Sequence, residues 1–200
     1  MRAIFIALTF SFLLSFNLLS QDKPTALIKG ESASVSENLI KVELGLPNMV
    51  GLSYEKKIKP NVSIYSSFGF LPSIRSGILT QLAYGVNTVW TATPQLTVQP
   101  RFYHNLSKRA ASDKNIHHNA ANYVGLSGRL YHTAVAISNV EESGAGRPVF
   151  DLMLSYGFQR SFFKRLNWDM AIQPAIEFYD GQASFFIGFN LQLGFIVFSR

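Results

Sequence analysis

FFIGFNLQLGFIVF, residues 185–198, is the stretch that decides the fold of this chain. Every second residue from Phe185 to Val197 is apolar, whereas the residues between them include two glycines, an asparagine and a glutamine. Side chains alternate between the two faces of a strand, so the stretch predicts a strand with one apolar face and one mixed face. A helix would scatter the same residues around its axis, and the glycines and asparagine would weaken it. Such a terminal strand is typical of the closing strand of an outer-membrane β-barrel.

The amino-terminal residues predict export from the cytoplasm. Residues 1–20 carry one charge, Arg2, followed by an apolar run and the small residue Ser20, which is the pattern of a signal peptide cleaved after Ser20. A membrane anchor is the alternative, but the run is short for a bilayer span. The chain has no cysteine, and therefore neither a lipoprotein attachment site nor a disulfide. Residues 21–37 are polar and rich in serine, and they predict a flexible periplasmic tail.

The positive charge of the chain does not indicate a nucleic-acid partner. The formal net charge is +6, but the basic residues lie mainly at predicted turns. They are Lys56, Lys57, Lys59, Lys108, Arg109, Lys164 and Arg165. Basic clusters at strand ends fit contact with anionic lipid headgroups or simple solvation. The expected partners are outer-membrane lipids and the barrel-insertion machinery, with no nucleic acid and an unknown surface ligand.

Period-two alternation runs through residues 38–200 and predicts one all-β domain. The predicted strands lie at about 38–58, 62–72, 78–90, 96–106, 124–131, 150–158, 166–178 and 183–198. Short turns or polar loops join them, and Asp180-Gly181-Gln182 is a turn signal of the hairpin kind. An even number suits a single-chain bacterial barrel with both termini on the periplasmic side. The prediction is therefore an eight-stranded antiparallel transmembrane β-barrel that follows a cleaved signal peptide.

Two strand boundaries depend on prolines. The same alternation continues on both sides of Pro47 and Asn48, which favours one strand from 38 to 58. The alternative is a hairpin that turns at Pro47-Asn48, which would give nine strands. Thr93-Pro94 is predicted to end the third strand.

The composition of the two faces favours a membrane barrel over a soluble one. A soluble barrel needs many charged residues on its outer face, but only 15% of this chain is charged. The mixed face therefore suits the interior, where Arg101, Arg129, Asp151, Asp169 and Glu177 can pair across a narrow lumen. The other face is rich in phenylalanine and leucine. Trp90, Trp168, Tyr84 and Tyr156 lie toward strand ends, as an interfacial aromatic girdle requires.

Two motifs resemble a known group of proteins. The residues RFYHNLSKR at 101–109 and NYVGL at 122–126 are similar to the paired motifs of small uncharacterised outer-membrane β-barrel proteins of the Bacteroidetes type. That group has Arg-Tyr-Tyr-Tyr-Asn-Leu-x-Lys-Arg before a loop and Asn-Tyr-Leu-x-Leu after it. His104 departs from the pattern, and Ser199 and Arg200 follow the terminal aromatic residue. The resemblance implies a fold and a location in the outer membrane, but no activity.

Catalytic, cofactor-binding and metal-binding residues are not expected. His132, Ser138 and Glu141 or Glu142 form the best candidate triad, which faintly resembles that of the lipid A deacylases. In an extended strand about 20 Å separates His132 from Ser138, whereas a triad needs hydrogen-bond contact. A second set, His104, Asp113, His117 and His118, lacks the regular spacing of metal ligands.

Two functions remain open for a barrel of this size. The first is a structural or surface-binding barrel whose loop at 139–147 faces outward. The second is a narrow transport pore, and a lipid-modifying barrel enzyme is a less favoured third possibility. Eight strands leave an interior that side chains nearly fill, and Tyr65, Tyr103 and Tyr131 are bulky candidates for that interior. The sequence therefore favours the non-catalytic, side-chain-filled barrel.

Overall fold

The computed structural model describes residues 33–133, 137–140 and 146–200, and these residues form one antiparallel sheet of nine strands. The strands are β1 (Asn38–Leu46), β2 (Val50–Lys59), β3 (Val62–Ser76), β4 (Thr88–Tyr103), β5 (Asn122–His132), β6 (Ile137–Ser138), β7 (Pro148–Phe162), β8 (Leu166–Tyr179) and β9 (Gln182–Ser199). Two helices, α1 (Ile78–Tyr84) and α2 (Leu106–Ala111), and a 3-10 turn (His117–Asn119) lie in the connections. The predicted signal peptide and residues 21–32 of the predicted tail lie outside the described residues. Among the described residues, no helix is long and apolar enough to cross a membrane.

Eight long strands close into a ring of antiparallel pairs. Strands β1 to β5 pair in sequence, β5 pairs with β7, and β7, β8 and β9 follow in order. The first and last strands meet, with Val42 opposite Phe195 and Leu44 opposite Leu193. The two-residue β6 continues the line of β5 along β4, where Ser138 pairs with Thr91. The prediction of an all-β antiparallel fold is confirmed.

The prediction of a single strand over residues 38–58 is wrong. The chain turns at Pro47-Asn48, and β1 pairs with β2 in a register that sets Leu44 opposite Val50. Residues that face each other across this hairpin are an even number of positions apart, so their side chains share one face and one parity. Alternation therefore runs unbroken through the turn and could not reveal it.

The predicted strand at 78–90 and its break at Thr93-Pro94 are also wrong. Residues 78–84 form α1, and β4 continues through Pro94, which pairs with Phe70. The structure thus has a hairpin where one strand was predicted at 38–58, and it has the single strand β4 where two strands were predicted at 78–90 and 96–106. The two errors offset each other, so that eight long strands remain.

The ring carries its apolar side chains on the outside and its polar ones inside. Phe185 and Phe189 of β9 are 69% and 68% exposed, whereas Gln192 on the opposite parity is 3% exposed. Other exposed residues at outward positions include Leu44, Leu52, Phe68, Leu96, Leu126, Leu154 and Tyr156. The predicted direction of the two faces is confirmed.

The connections divide between two ends of the ring. The end where β1 begins and β9 ends also holds the turn at 60–61, the connection 104–121 with α2, and the turn at 163–165. We call it the terminal end. The opposite end holds the turns at 47–49 and 180–181, the connection 77–87 with α1, and the described residues between β5 and β7, which are 133, 137–140 and 146–147.

Candidate functional site

Arg101 lies at the centre of a charge network inside the ring. Its Nη1 atom lies 2.7 Å from Asp169 Oδ2 on β8 and 4.0 Å from Glu55 Oε2 on β2. Its Nε donates to Gln99 Oε1 at 2.6 Å, and its Nη1 donates to Gln159 Oε1 at 3.0 Å. One cation therefore joins β2, β4, β7 and β8. It also compensates two buried carboxylates, each of which would cost several kcal/mol to bury alone.

Tyrosine rings enclose the guanidinium of Arg101. The ring centroids of Tyr65 and Tyr123 lie 3.9 and 4.4 Å from its Cζ, within the range of a cation–π interaction. The hydroxyl of Tyr103 donates to Glu55 Oε1 at 2.6 Å, and that of Tyr123 donates to Asp169 Oδ1 at 2.7 Å. Tyr123 thus packs against the cation and also bonds to one of its carboxylate partners, whereas Tyr103 bonds to the other.

Lys41 and Glu43 extend the network toward β1, and they were not among the charges predicted for the interior. Lys41 Nζ lies 3.0 Å from Glu43 Oε1, and both side chains are at most 1% exposed. Glu43 Oε2 accepts a hydrogen bond from the Tyr65 hydroxyl at 2.6 Å. Both residues alternate with the outward Val42 and Leu44. That alternation was the signal that could have identified them, and it applies to Glu55 on β2 as well.

A third interior ion pair lies nearer the opposite end. Arg129 on β5 and Asp151 on β7 are cross-strand partners, and Arg129 Nε donates to Asp151 Oδ2 at 2.7 Å. The half-buried Glu177 accepts from the hydroxyl of Tyr131 at 3.0 Å. The five charged residues predicted for the interior therefore all face it, and four of them form two ion pairs.

Hydroxyl and amide groups bond across the interior around the Arg101–Asp169 and Arg129–Asp151 ion pairs. Gln99 Nε2 donates to Ser127 Oγ at 2.6 Å and to Ser155 Oγ at 2.7 Å. Gln173 Nε2 reaches the same Ser155 oxygen from β8 at 2.9 Å. Asn48, in the turn between β1 and β2, accepts from Gln95 of β4. Short polar side chains thus bond across the interior from several strands.

The terminal end of the interior is covered by chain segments. Val35, 3% exposed, packs in an apolar cluster with Tyr103, Leu106 and Tyr123. Its backbone N–H donates to the Pro60 carbonyl at 2.8 Å. The backbone N–H of Ser36 donates to Asn119 Oδ1 at 2.7 Å, and Ala120 and Ala121 are fully buried beside it. Residues 33–36, which belong to the predicted tail, therefore pack against the ring.

Of the candidate triad, His132 and Ser138 lie in strands that pair with the same edge of β4. His132 ends β5 and follows Tyr131, which pairs with Gln95 of β4. Ser138 in β6 pairs with Thr91, so the positions of His132 and Ser138 are three residues apart along β4. The two positions are thus about 10 Å apart along the strand direction. Glu141 and Glu142 lie outside the described residues.

The histidines weighed as metal ligands lie in or near the β4–β5 connection. The ring centroids of His117 and His118 are 6.2 Å apart, and His104 stacks instead on Tyr156. Within residues 33–133, 137–140 and 146–200, no group of three or more histidine, aspartate or glutamate side chains is placed to hold a metal ion. The described interior holds ion pairs, packed phenols and hydrogen-bonded hydroxyl and amide groups.

Comparisons with protein-family models, with curated proteins and with solved structures found no match for this chain.

Proposed function

We propose that this chain is a small integral protein of the bacterial outer membrane. Its eight long strands form a transmembrane β-barrel, the fold implied by the resemblance of its two motifs to those of Bacteroidetes-type proteins. We propose that the barrel is structural or surface-binding and non-catalytic. It reaches the membrane through the signal peptide expected at residues 1–20 and the barrel-insertion machinery. The single observation that supports this proposal most is that the two faces of the sheet are reversed relative to those of a soluble barrel. Leucine and phenylalanine lie on the outside, while arginine, aspartate and glutamate lie within.

The large apolar outer surface argues against a soluble protein. Soluble monomers rarely expose apolar patches larger than a few hundred Å², whereas the apolar surface here continues around the ring of strands. From Phe185 to Val197, the outward residues of β9 cover about 40 Å along the strand at roughly 3.3 Å per residue. A tilt of about 40° reduces this to about 30 Å, the thickness of a bilayer core. Trp90 and Trp168 lie near the starts of β4 and β8, which begin at opposite ends of the ring, where the two membrane interfaces would be.

The filled interior supports a barrel that does not conduct. Arg101, Tyr65, Tyr103 and Tyr123 occupy its cross-section, and each of them is at most 6% exposed. An ion would have to displace this network and replace its charge pairs, which costs several kcal/mol for each uncompensated charge. We therefore favour the structural or surface-binding function over the narrow pore.

The connections opposite the termini form the surface that would face outward. If both termini are periplasmic, the connection 77–87 and residues 139–147 lie outside the cell. This orientation can be tested with an epitope tag within residues 139–147 and a matched tag in the turn at 163–165. Protease added to intact cells should remove the first tag and spare the second; the reverse pattern would overturn the orientation.

Membrane integration and conductance are tested on the purified mature chain. We expect extraction from membranes only with detergent, heat-modifiable migration on gels, and flotation with phosphatidylcholine vesicles. In planar bilayers we expect no steady single-channel openings. A mature chain that is soluble without detergent would refute the barrel, whereas steady openings would refute only the closed interior.

A further inference from the structure

A basic cavity lies on the outside of the ring at its terminal end. Its volume is about 480 Å³, and its lining includes His104, Lys108, Arg109, Lys114 and Arg160. Helix α2 provides two of these residues, and its Leu106 is 1% exposed and anchors the helix in the apolar cluster around Val35. The cavity therefore has one wall on the connection 104–121 and another on β7.

The two motifs of the sequence meet at this cavity. The backbone N–H of Asn122 donates to Asn105 Oδ1 at 2.7 Å, which fixes the start of β5 against the end of β4. Asn122 Oδ1 accepts from Arg160 Nη2 at 2.7 Å, and Arg109 Nη2 donates to the Asn115 carbonyl at 2.9 Å. Both guanidiniums are thus held in place by neutral oxygens.

The cations of this cavity have no carboxylate partner in the described part of the chain. None of the ion pairs found there includes Lys108, Arg109, Lys114 or Arg160. Asp113 is the one acidic residue between 104 and 122, and it does not line the cavity. The Nε atom of Arg109 is buried without a hydrogen-bond partner among the described residues. Four cations therefore line the cavity, one of them keeps a buried donor without a partner, and an anion in the cavity would compensate their charge.

The cavity also adjoins the outward apolar surface. The ring of His104 stacks on Tyr156 with centroids 5.9 Å apart, and Arg160 Cζ lies 5.2 Å from the centroid of Phe158. Tyr156 and Phe158 are outward residues of β7 and are 54% and 36% exposed. A ligand in the cavity would thus have its charged group among lysines and arginines and an apolar portion along β7.

We infer that this cavity binds the phosphate headgroup of an anionic phospholipid in the leaflet at the terminal end. The inference rests on the proposed membrane location. Phosphate oxygens accept hydrogen bonds from arginine and lysine in this arrangement, and the acyl chains would pack against Phe158 and Tyr156. A free phosphate shares the headgroup chemistry, but it would leave the adjoining apolar surface unused.

Native mass spectrometry of the detergent-solubilised mature chain tests the inference. The probes are phosphatidylglycerol, phosphatidylcholine and inorganic phosphate. We expect one phosphatidylglycerol molecule to be retained in preference to phosphatidylcholine. Lys108→Gln/Arg160→Gln should weaken that retention roughly 10- to 30-fold, because each basic residue near a membrane surface contributes to the attraction of anionic lipid. Lys108→Gln/Lys114→Gln alters only exposed side chains, so it should leave folding unchanged and should also weaken the retention of phosphatidylglycerol.

Lys164→Gln/Arg165→Gln is the matched control, since it removes the same charge from a turn at the same end, outside the cavity. Equal losses in the control and the cavity variants would show general electrostatic attraction and overturn the inference. Unchanged retention in both cavity variants would also overturn it, as would displacement of the lipid by millimolar inorganic phosphate. Flotation with phosphatidylcholine vesicles is measured in parallel. Failure to float would refute the membrane proposal, whereas flotation without selective retention would refute this inference alone.

Discussion

The guanidinium of Arg101 and the carboxylate of Asp169 form a buried ion pair with Nη1 and Oδ2 2.7 Å apart, although β5 and β7 separate their strands in the ring. Each side chain is 3% exposed. Because the pair spans the interior rather than one strand interface, it links parts of the sheet that share no backbone hydrogen bonds. Glu55 on β2 adds a third strand to the same link.

Replacing Arg101 by leucine should destabilise the protein by about 3–5 kcal/mol, because two carboxylates would remain buried without their cation. Urea unfolding in detergent micelles, followed by tryptophan fluorescence, measures this loss. Arg101→Leu/Asp169→Asn should recover part of it, since the second change removes one of the uncompensated charges. A single variant within about 0.5 kcal/mol of the parent chain, the range of neutral surface changes, would show that the network does not stabilise the ring.

Stability should fall at acidic pH because of His118, which lies in the 3-10 turn at the terminal end. Its Nδ1 lies 3.0 Å from Ser199 Oγ. Burial lowers the pKa of His118 below its ordinary value of 6.5, and the charges of His117 and Lys41 lower it further, although a backbone hydrogen bond at Lys164 acts in the opposite direction.

The unfolded chain then binds the proton more readily than the folded chain does. The contribution of His118 is therefore complete above about pH 6.5 and is lost as the pH falls through the lower, folded-state pKa. Unfolding midpoints between pH 7.5 and 5 should decline less in His118→Gln than in the parent chain. Identical pH profiles for the parent and His118→Gln would contradict the assignment.

Alternation predicted which way side chains point better than it predicted where strands end. It placed Phe189 outside and Arg101 and Asp169 inside, because a strand with one buried face has only one register that satisfies its side chains. It could not detect the hairpin at Pro47-Asn48, which preserves parity. Nor did it separate α1 from a strand, since Ile78 and Leu82 are four residues apart and fit both periods.

Only part of the basic cavity could be predicted from the sequence. The sequence showed Lys108 and Arg109 at a turn, but their proximity to Arg160 depends on the pairing of β5 with β7. Pairing partners so distant in sequence leave no local pattern. The packing of Val35 under the ring was equally hidden, because one apolar residue in a serine-rich segment carries no periodicity.

Gly45→Ala should weaken the contact between the first and last strands. Gly45 has φ +148°, and a Cβ atom added there would overlap the carbonyl oxygen of Leu191 on β9. Gly77→Ala is the control, because Gly77 has φ +118° but no atom within 4 Å of an added Cβ. Gly45→Ala should cost about 1–3 kcal/mol more than the control, the usual range for overpacking. Equal losses in urea unfolding would place the whole effect in backbone strain.

The outward face of β9 gives the most direct test of its surroundings. Phe189 lies near the middle of the strand and is 68% exposed. If lipid covers it, Phe189→Arg should cost about 2–4 kcal/mol of folding free energy in vesicles, as arginine does near a bilayer midplane. Phe189→Leu keeps an apolar side chain and should stay close to the parent chain.

Arginine at an exposed position of a soluble protein would change stability by no more than about 0.5 kcal/mol. The comparison of Phe189→Arg with Phe189→Leu therefore separates the two environments without altering the interior, where Gln192 on the opposite parity is 3% exposed. Folded yield in vesicles and the urea midpoint should agree. Equal stability of the two variants would mean that β9 does not face lipid, and this result would refute the proposed transmembrane barrel.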